Sequence, residues 1–127
     1  MNKAIELTGR ILLGHIFLLA GINKLGAGYA GTAGYMESMG VPGGLLPAVI
    51  ALEIVGGLMI IAGFKTKWAA YALAGFTLLA AFLFHFNLAD QMQTIMLMKN
   101  ISLTGGLLLL SGYGAGELSV DKKLGEQ

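Results

Sequence analysis

Residues 43–64 read GGLLPAVIALEIVGGLMIIAGF, an apolar run in which Glu53 is the lone ionisable side chain. A helix over this stretch, at 1.5 Å per residue, is long enough to cross the roughly 30 Å hydrocarbon core of a bilayer. Its apolar residues cover most of the circumference, where a soluble bundle helix would show a polar face. A carboxylate near the middle of such a helix costs about 3 kcal/mol on insertion, so Glu53 is expected to face a partner or a wet cavity.

The same reading extends along the chain. Of 127 residues, 56% are hydrophobic and only 12% charged, far from the balance of a soluble domain. Four spans are expected, at about 5–25, 44–64, 68–86 and 95–113, with a polar tail over 114–127 that is at most partly ordered. The expected fold is all-α: a single-domain integral membrane four-helix bundle, up-down-up-down. Four crossings bring the termini to one side, where Lys3, Lys65, Lys67, Lys122 and Lys123 also fall, while Glu37 and Asp90 lie opposite. By the positive-inside rule both termini are expected to be cytoplasmic. Lys3 and Arg10 ahead of an apolar stretch imitate a secretory signal, but with Glu6 they make a poor leader, and the first span reads as a permanent helix.

The longest connection, Gly26 to Gly43, contains TAGYMESM over Thr32–Met39. A short interfacial helix with Thr32 at its N-cap is expected there, stopped by Val41-Pro42-Gly43. Lys65–Lys67 reads as a tight turn that makes the second and third spans antiparallel neighbours, with Trp68 in the aromatic interface belt. Many of the 20 glycines lie inside spans, where small residues let helices pack closely. With no cysteine, the chain contributes no disulfide, thiolate metal site or iron–sulfur cluster. A net charge of +1 without a basic cluster gives no reason to expect nucleic acid.

Depth sorts the polar residues. Glu53 is roughly 15 Å deep, His15 about 15 Å and Arg10 about 8 Å from the terminal side, so Arg10 and His15 are first-helix partners for Glu53 by level. Lys24, His85, Asn87, Lys99 and Asn100 gather near the opposite ends of three spans. They could line a mouth on the outer face with Glu53 at its floor. The plainer readings are lysines that snorkel to headgroups, an interfacial His85, Arg10 as an anchor, and Glu53 in an ion pair that fixes helix register. His15 and His85 differ by roughly 10 Å in depth, which argues against a bis-histidine haem. No His or carboxylate pair has helical metal-site spacing, and no metal is expected.

These residues resemble a family. Arg10-x-x-x-Gly14, Ala20-Gly21-x-x-Lys24-Leu25, Gly40-Val41-Pro42, Leu52-Glu53-x-x-Gly56-Gly57, Gly63-Phe64, Phe82-x-x-His85-Phe86 and Met98-Lys99-Asn100-x-x-x-x-Gly105-Gly106 look like the DoxX family of small bacterial inner-membrane proteins. The resemblance runs from about Leu7 to Gly112. It implies a multi-pass bundle in the bacterial inner membrane, associated with redox systems. The family name comes from a subunit of an archaeal quinone-linked oxidase, related proteins belong to thiosulfate:quinone oxidoreductase, and others accompany soluble redox enzymes. The family's recurrent polar positions fall on Arg10, Lys24, Glu53, His85, Lys99 and Asn100, and His15 is outside the pattern.

The resulting expectation is an accessory subunit of a quinone-linked oxidoreductase, binding a quinone or a similar small aromatic or anionic molecule in an outer-facing polar pocket. Glu53 and His85 are the candidate catalytic residues; Lys24, Lys99, Asn100 and Arg10 are the candidate ligand-binding residues. No side chain here carries electrons, so no intrinsic cofactor is expected, and a soluble or membrane redox enzyme would be the partner. The lipid bilayer is the other partner, and a homo-oligomer is a candidate assembly. Two alternatives stand beside this one: a non-catalytic scaffold that docks proteins and uses the polar set as ion pairs, and a small carrier working as an oligomer.

Overall fold

The computed structural model describes residues 2–125. In it, α1 (Lys3–Asn23), α3 (Leu46–Ala62, entered through a 3-10 turn at Gly43–Leu45), α4 (Thr66–Phe84) and α5 (Gln91–Tyr113) are long and apolar enough to cross a membrane. They alternate in direction, so the all-α four-helix bundle expected from sequence is the observed architecture. Two short helices complete it: α2 (Ala27–Ser38) at the end opposite the termini, and α6 (Val120–Lys123) in the tail. Large apolar side chains such as Leu79, Leu109 and Trp68 point outward, 59%, 77% and 65% exposed, as lipid-facing residues do.

Local chemistry sets the helix ends. The Asn2 side chain accepts from the Ala4 and Ile5 N–H groups, and the Asp90 carboxylate accepts from Gln93 N–H, so α5 begins a turn before the expected Ile95. The α3 helix stops where Gly63 takes the left-handed conformation, φ 72°, and Phe64 N–H reaches back to Met59 O at 2.9 Å. The expected turn between the second and third spans is present, one or two residues earlier than Lys65–Lys67, because Gly63 and a left-handed Lys65 reverse the chain there.

Two tightly packed pairs, α1 with α3 and α4 with α5, are joined through α3 and α4. The α1–α3 pair closes at glycine: a Cβ on Gly57 would lie 2.8 Å from Leu18 N and 2.9 Å from Gly14 O, both backbone atoms. Phe17, Ile60, Leu73 and Leu107, one from each long helix, meet in the main core. Not every glycine serves packing, since Gly9 and Gly105 face open space.

Two expectations need correction. The interfacial helix starts at Ala27, after Gly26 at φ 62°, and has no side-chain cap; Thr32 sits inside it with its hydroxyl on Gly28 O at 2.8 Å. Tertiary contact holds this glycine-rich helix. Met36 is buried with Leu46 and Ile50, and Tyr35 donates its hydroxyl to Phe84 O at 3.1 Å. The tail, in turn, is folded back on the terminal end of the bundle through residue 125. Asp121 is 4% exposed, and its carboxylate accepts from Lys65 N at 2.7 Å and Thr66 N at 3.0 Å, capping α4 from 55 residues away. Its own N–H donates to Gly63 O at 2.8 Å.

Candidate functional site

Glu53 is 5% exposed and paired. Its Oε1 accepts from Lys24 Nζ at 2.8 Å, and the same ammonium donates to Ala20 O at 3.3 Å. Sequence spacing explains the meeting. Gly21 lets α3 approach so closely that a Cβ there would stand 3.1 Å from Glu53 Cβ, and Lys24, one turn farther along the same face of α1, reaches over the carboxylate. The last turn of α1 thus supplies the counter-charge for a carboxylate buried nine residues from the far end of α3.

Lys24 and Glu53 stand in the wall of a cavity of about 280 Å³ in the half of the bundle away from the termini. Most of its lining is apolar, with Phe17, Phe76, Phe84 and Tyr35 presenting aromatic rings. The polar groups are few and come from different helices: Lys24 and Glu53 from α1 and α3, Thr77 and His85 from α4, Lys99 and Asn100 from α5, and Thr32 from α2. An apolar chamber with a few convergent polar groups is the usual make-up of a small-molecule site.

Each polar group has a defined state. His85 ends α4, and its Nδ1 lies 2.7 Å from Gln93 Oε1. Asn100 Nδ2 makes a long 3.5 Å contact with Thr77 O. Lys99 is exposed and has no hydrogen-bond or ion-pair partner among the described residues. The Thr77 hydroxyl is buried, 3% exposed, and has no protein partner. Thr32 and Thr104 bond to carbonyls four residues earlier in their helices, whereas Thr77 leaves that option unused.

Of the six residues expected at the site, five share this cavity. Arg10 does not. It is 2% exposed at the terminal end, where its Nη2 donates to Leu118 O and its charged neighbours are Asp121 and Glu6. The offset packing of α1 on α3 explains this: Gly21, late in α1, lies at the level of Glu53, so Arg10 falls beside Gly63 at the far end of α3. His15 is also away from Glu53, exposed, with Nδ1 near Leu12 O. Thr77 and Gln93, absent from the expected set, belong to the site or its rim.

The profile of the DoxX family matches residues 5–86. The chain belongs to the DoxX family. It is 51% identical to inner membrane protein YqjF of Escherichia coli K12 over 121 residues, 95% of this chain and 92% of that protein. It is 34% identical to inner membrane protein YphA of the same organism over 124 residues, 92% of this chain and 88% of that protein. A "Putative oxidoreductase CatD" of Bacillus subtilis 168 is 33% identical over 70 residues, 53% of this chain and 52% of that protein. No solved structure matches. This DoxX protein is a multi-pass inner-membrane protein whose matched region, ending at Phe86, takes in Lys24, Glu53, Thr77 and His85, with the α5 contribution lying beyond it.

Proposed function

We propose that this DoxX chain binds a quinone, or a comparably small aromatic molecule with a ring oxygen, in the cavity around Glu53, as the membrane subunit of a redox system. The observation that carries this reading is the convergence in one aromatic chamber of Lys24, Glu53, His85, Lys99 and Asn100 with Thr77, whose buried hydroxyl has no protein partner. A buried hydroxyl without a partner carries a desolvation penalty that a ligand oxygen would relieve. The ammonium of Lys99 and the amide of Asn100 are further donors, and the phenyl rings give the ligand ring apolar contact. The likeness to a protein named as an oxidoreductase supports the redox association.

Glu53 and His85 are the groups that could exchange a proton with a bound oxygen, since a carboxyl and an imidazole both line the cavity. Electrons would come from a partner enzyme, because no side chain of this protein holds them. The alternative, a non-catalytic scaffold, draws on the closed Lys24–Glu53 pair, which joins α1 to α3 as a register-fixing ion pair would.

Equilibrium binding separates the two. A labelled dimethoxy benzoquinone should bind saturably to the purified chain in lipid nanodiscs, and Thr77→Val should weaken it by about three- to tenfold, the value of one hydrogen bond. Absence of saturable binding, or equal binding by Thr77→Val, Glu53→Gln and His85→Ala, would leave the scaffold reading standing.

A further inference from the structure

Building on the ligand site proposed above, the geometry points to its route of entry: the cavity exchanges its ligand sideways with the bilayer, through the seam between α1 and α5, with Lys99 at the edge of the opening. The ligand class this selects is a lipophilic molecule, an oxygen-bearing ring on an apolar tail, in preference to a water-soluble one.

Three sides of the cavity are closed by packing. The α1–α3 and α4–α5 pairs pack most extensively and α3–α4 less so, whereas the α1 and α5 backbones approach each other at few points. The end away from the termini is roofed by α2, whose Thr32, Tyr35 and Met36 line the cavity. That roof is tied down by the Tyr35–Phe84 hydrogen bond, by their ring contact at 5.7 Å, and by Met36 buried against Leu46 and Ile50. At the α4–α5 corner the His85–Gln93 contact at 2.7 Å closes the rim. Below, Phe17, Leu73 and Leu107 fill the bundle.

The fourth side is different. Near its middle the α1–α5 seam is bridged at Leu13 and Gly106, where a Cβ on the glycine would sit 3.7 Å from Leu13 Cδ1. Counting away from that point along antiparallel helices sets Ile16 opposite Leu103 and Ala20 opposite Lys99. All four line the cavity, and Lys99 is the exposed one among them. Two exposed residues belong to the cavity wall, Tyr35 on the α2 roof and Lys99 on a membrane-length helix, and Lys99, in the loosely packed seam, marks the opening. A long flexible ammonium stem there can swing aside for a tail and return its charge to a ring oxygen. On the terminal side of the Leu13 contact the same seam holds a second hollow of about 400 Å³, lined by Ile5, Gly9, Leu13, Gly106, Leu109 and Tyr113 among others, so the seam is loosely packed along its length.

The chain has no cysteine, so a strap can be placed at will. Ala20→Cys with Leu103→Cys, joined in nanodiscs by a reducible bismaleimide linker, would bridge the opening; each single variant treated with the same linker is the control. Two labelled probes are compared: the dimethoxy benzoquinone and its decyl-tailed counterpart. The strap is expected to slow uptake of the tailed quinone by about tenfold or more, with reduction of the linker restoring it. Tailed-quinone uptake unchanged by the strap would overturn lateral entry while leaving the binding site in place. Failure of both probes to bind the unstrapped protein would overturn the ligand site as well, and a tailless probe that binds while the tailed one is rejected would sink the lipophilic ligand class alone.

Discussion

The Lys24 ammonium and the Glu53 carboxylate meet at 2.8 Å across the tightest helix contact of the bundle, and both face the cavity. Replacing Lys24 by Met would leave Glu53 buried without a counter-charge, a loss of about 3–5 kcal/mol for a buried pair broken on one side. The double replacement Lys24→Met with Glu53→Gln removes both charges, and most of that stability should return. Thermal unfolding of the four proteins of this cycle in one lipid would measure it; additive losses would show that the pair contributes no coupling.

Glycine at position 57 is required by backbone, whereas glycine at position 105 is not. Gly57→Ala would press a methyl against Leu18 N and Gly14 O, atoms that cannot move without separating α1 from α3, and the expected loss is about 1–3 kcal/mol. Gly105→Ala meets open space on a helix and should be neutral or stabilising by up to about 1 kcal/mol. The pair of melting curves checks both signs. Equal destabilisation would mean that α5 packs against something outside this chain at Gly105.

Asp121 holds the tail on the bundle and finishes α4. Asp121→Ala removes the acceptor for Lys65 N and Thr66 N and takes a negative charge from beside Arg10. About 1–3 kcal/mol is expected for each buried donor left without a partner. Limited proteolysis should show cleavage beyond Gly114 in the variant at protease levels that leave the parent chain intact. A tail equally resistant in both would mean that the Arg10–Leu118 contact and the backbone bond from residue 121 to Gly63 O are enough to secure it.

How far the sequence reached follows from the range of the forces involved. The four spans were legible because hydrocarbon demands about 20 apolar residues in succession, a local signal. The convergence of Lys24, Glu53, His85, Lys99 and Asn100 was legible too, since alternating direction fixes which ends share a level. Arg10 lies away from Glu53 because α1 is offset on α3 by the close approaches at Gly14, Gly21 and Gly57, a shift that distance from the helix ends does not carry. The tail's docking rests on Asp121 reaching a turn 55 residues away, which no local pattern reveals. Its short helix did leave a trace: Ser119 at the N-cap and Gly125 past the end, with Lys122 and Lys123 between them. Thr77 carries no signal in the sequence, since a hydroxyl in an apolar helix normally back-bonds to its own helix.

That unused hydroxyl gives the sharpest separation between a binding site and a purely structural bundle. Thr77→Val keeps the shape of the side chain and deletes the oxygen. If Thr77 serves only the fold, nothing is bonded to it, and removing a buried unsatisfied hydroxyl should stabilise the protein by about 1–3 kcal/mol with no other consequence. If it faces a ligand, the same gain should appear in ligand-free protein and disappear on ligand addition, because the parent chain recovers stability through a bond that the variant lacks. The measurement is the melting temperature of both proteins with and without saturating dimethoxy benzoquinone: a ligand-induced shift smaller in Thr77→Val than in the parent places the oxygen at the ligand. Equal shifts would move the ligand contact to Lys99 and Asn100 on α5, and the corresponding Lys99→Met and Asn100→Leu proteins would then show the reduced shift instead.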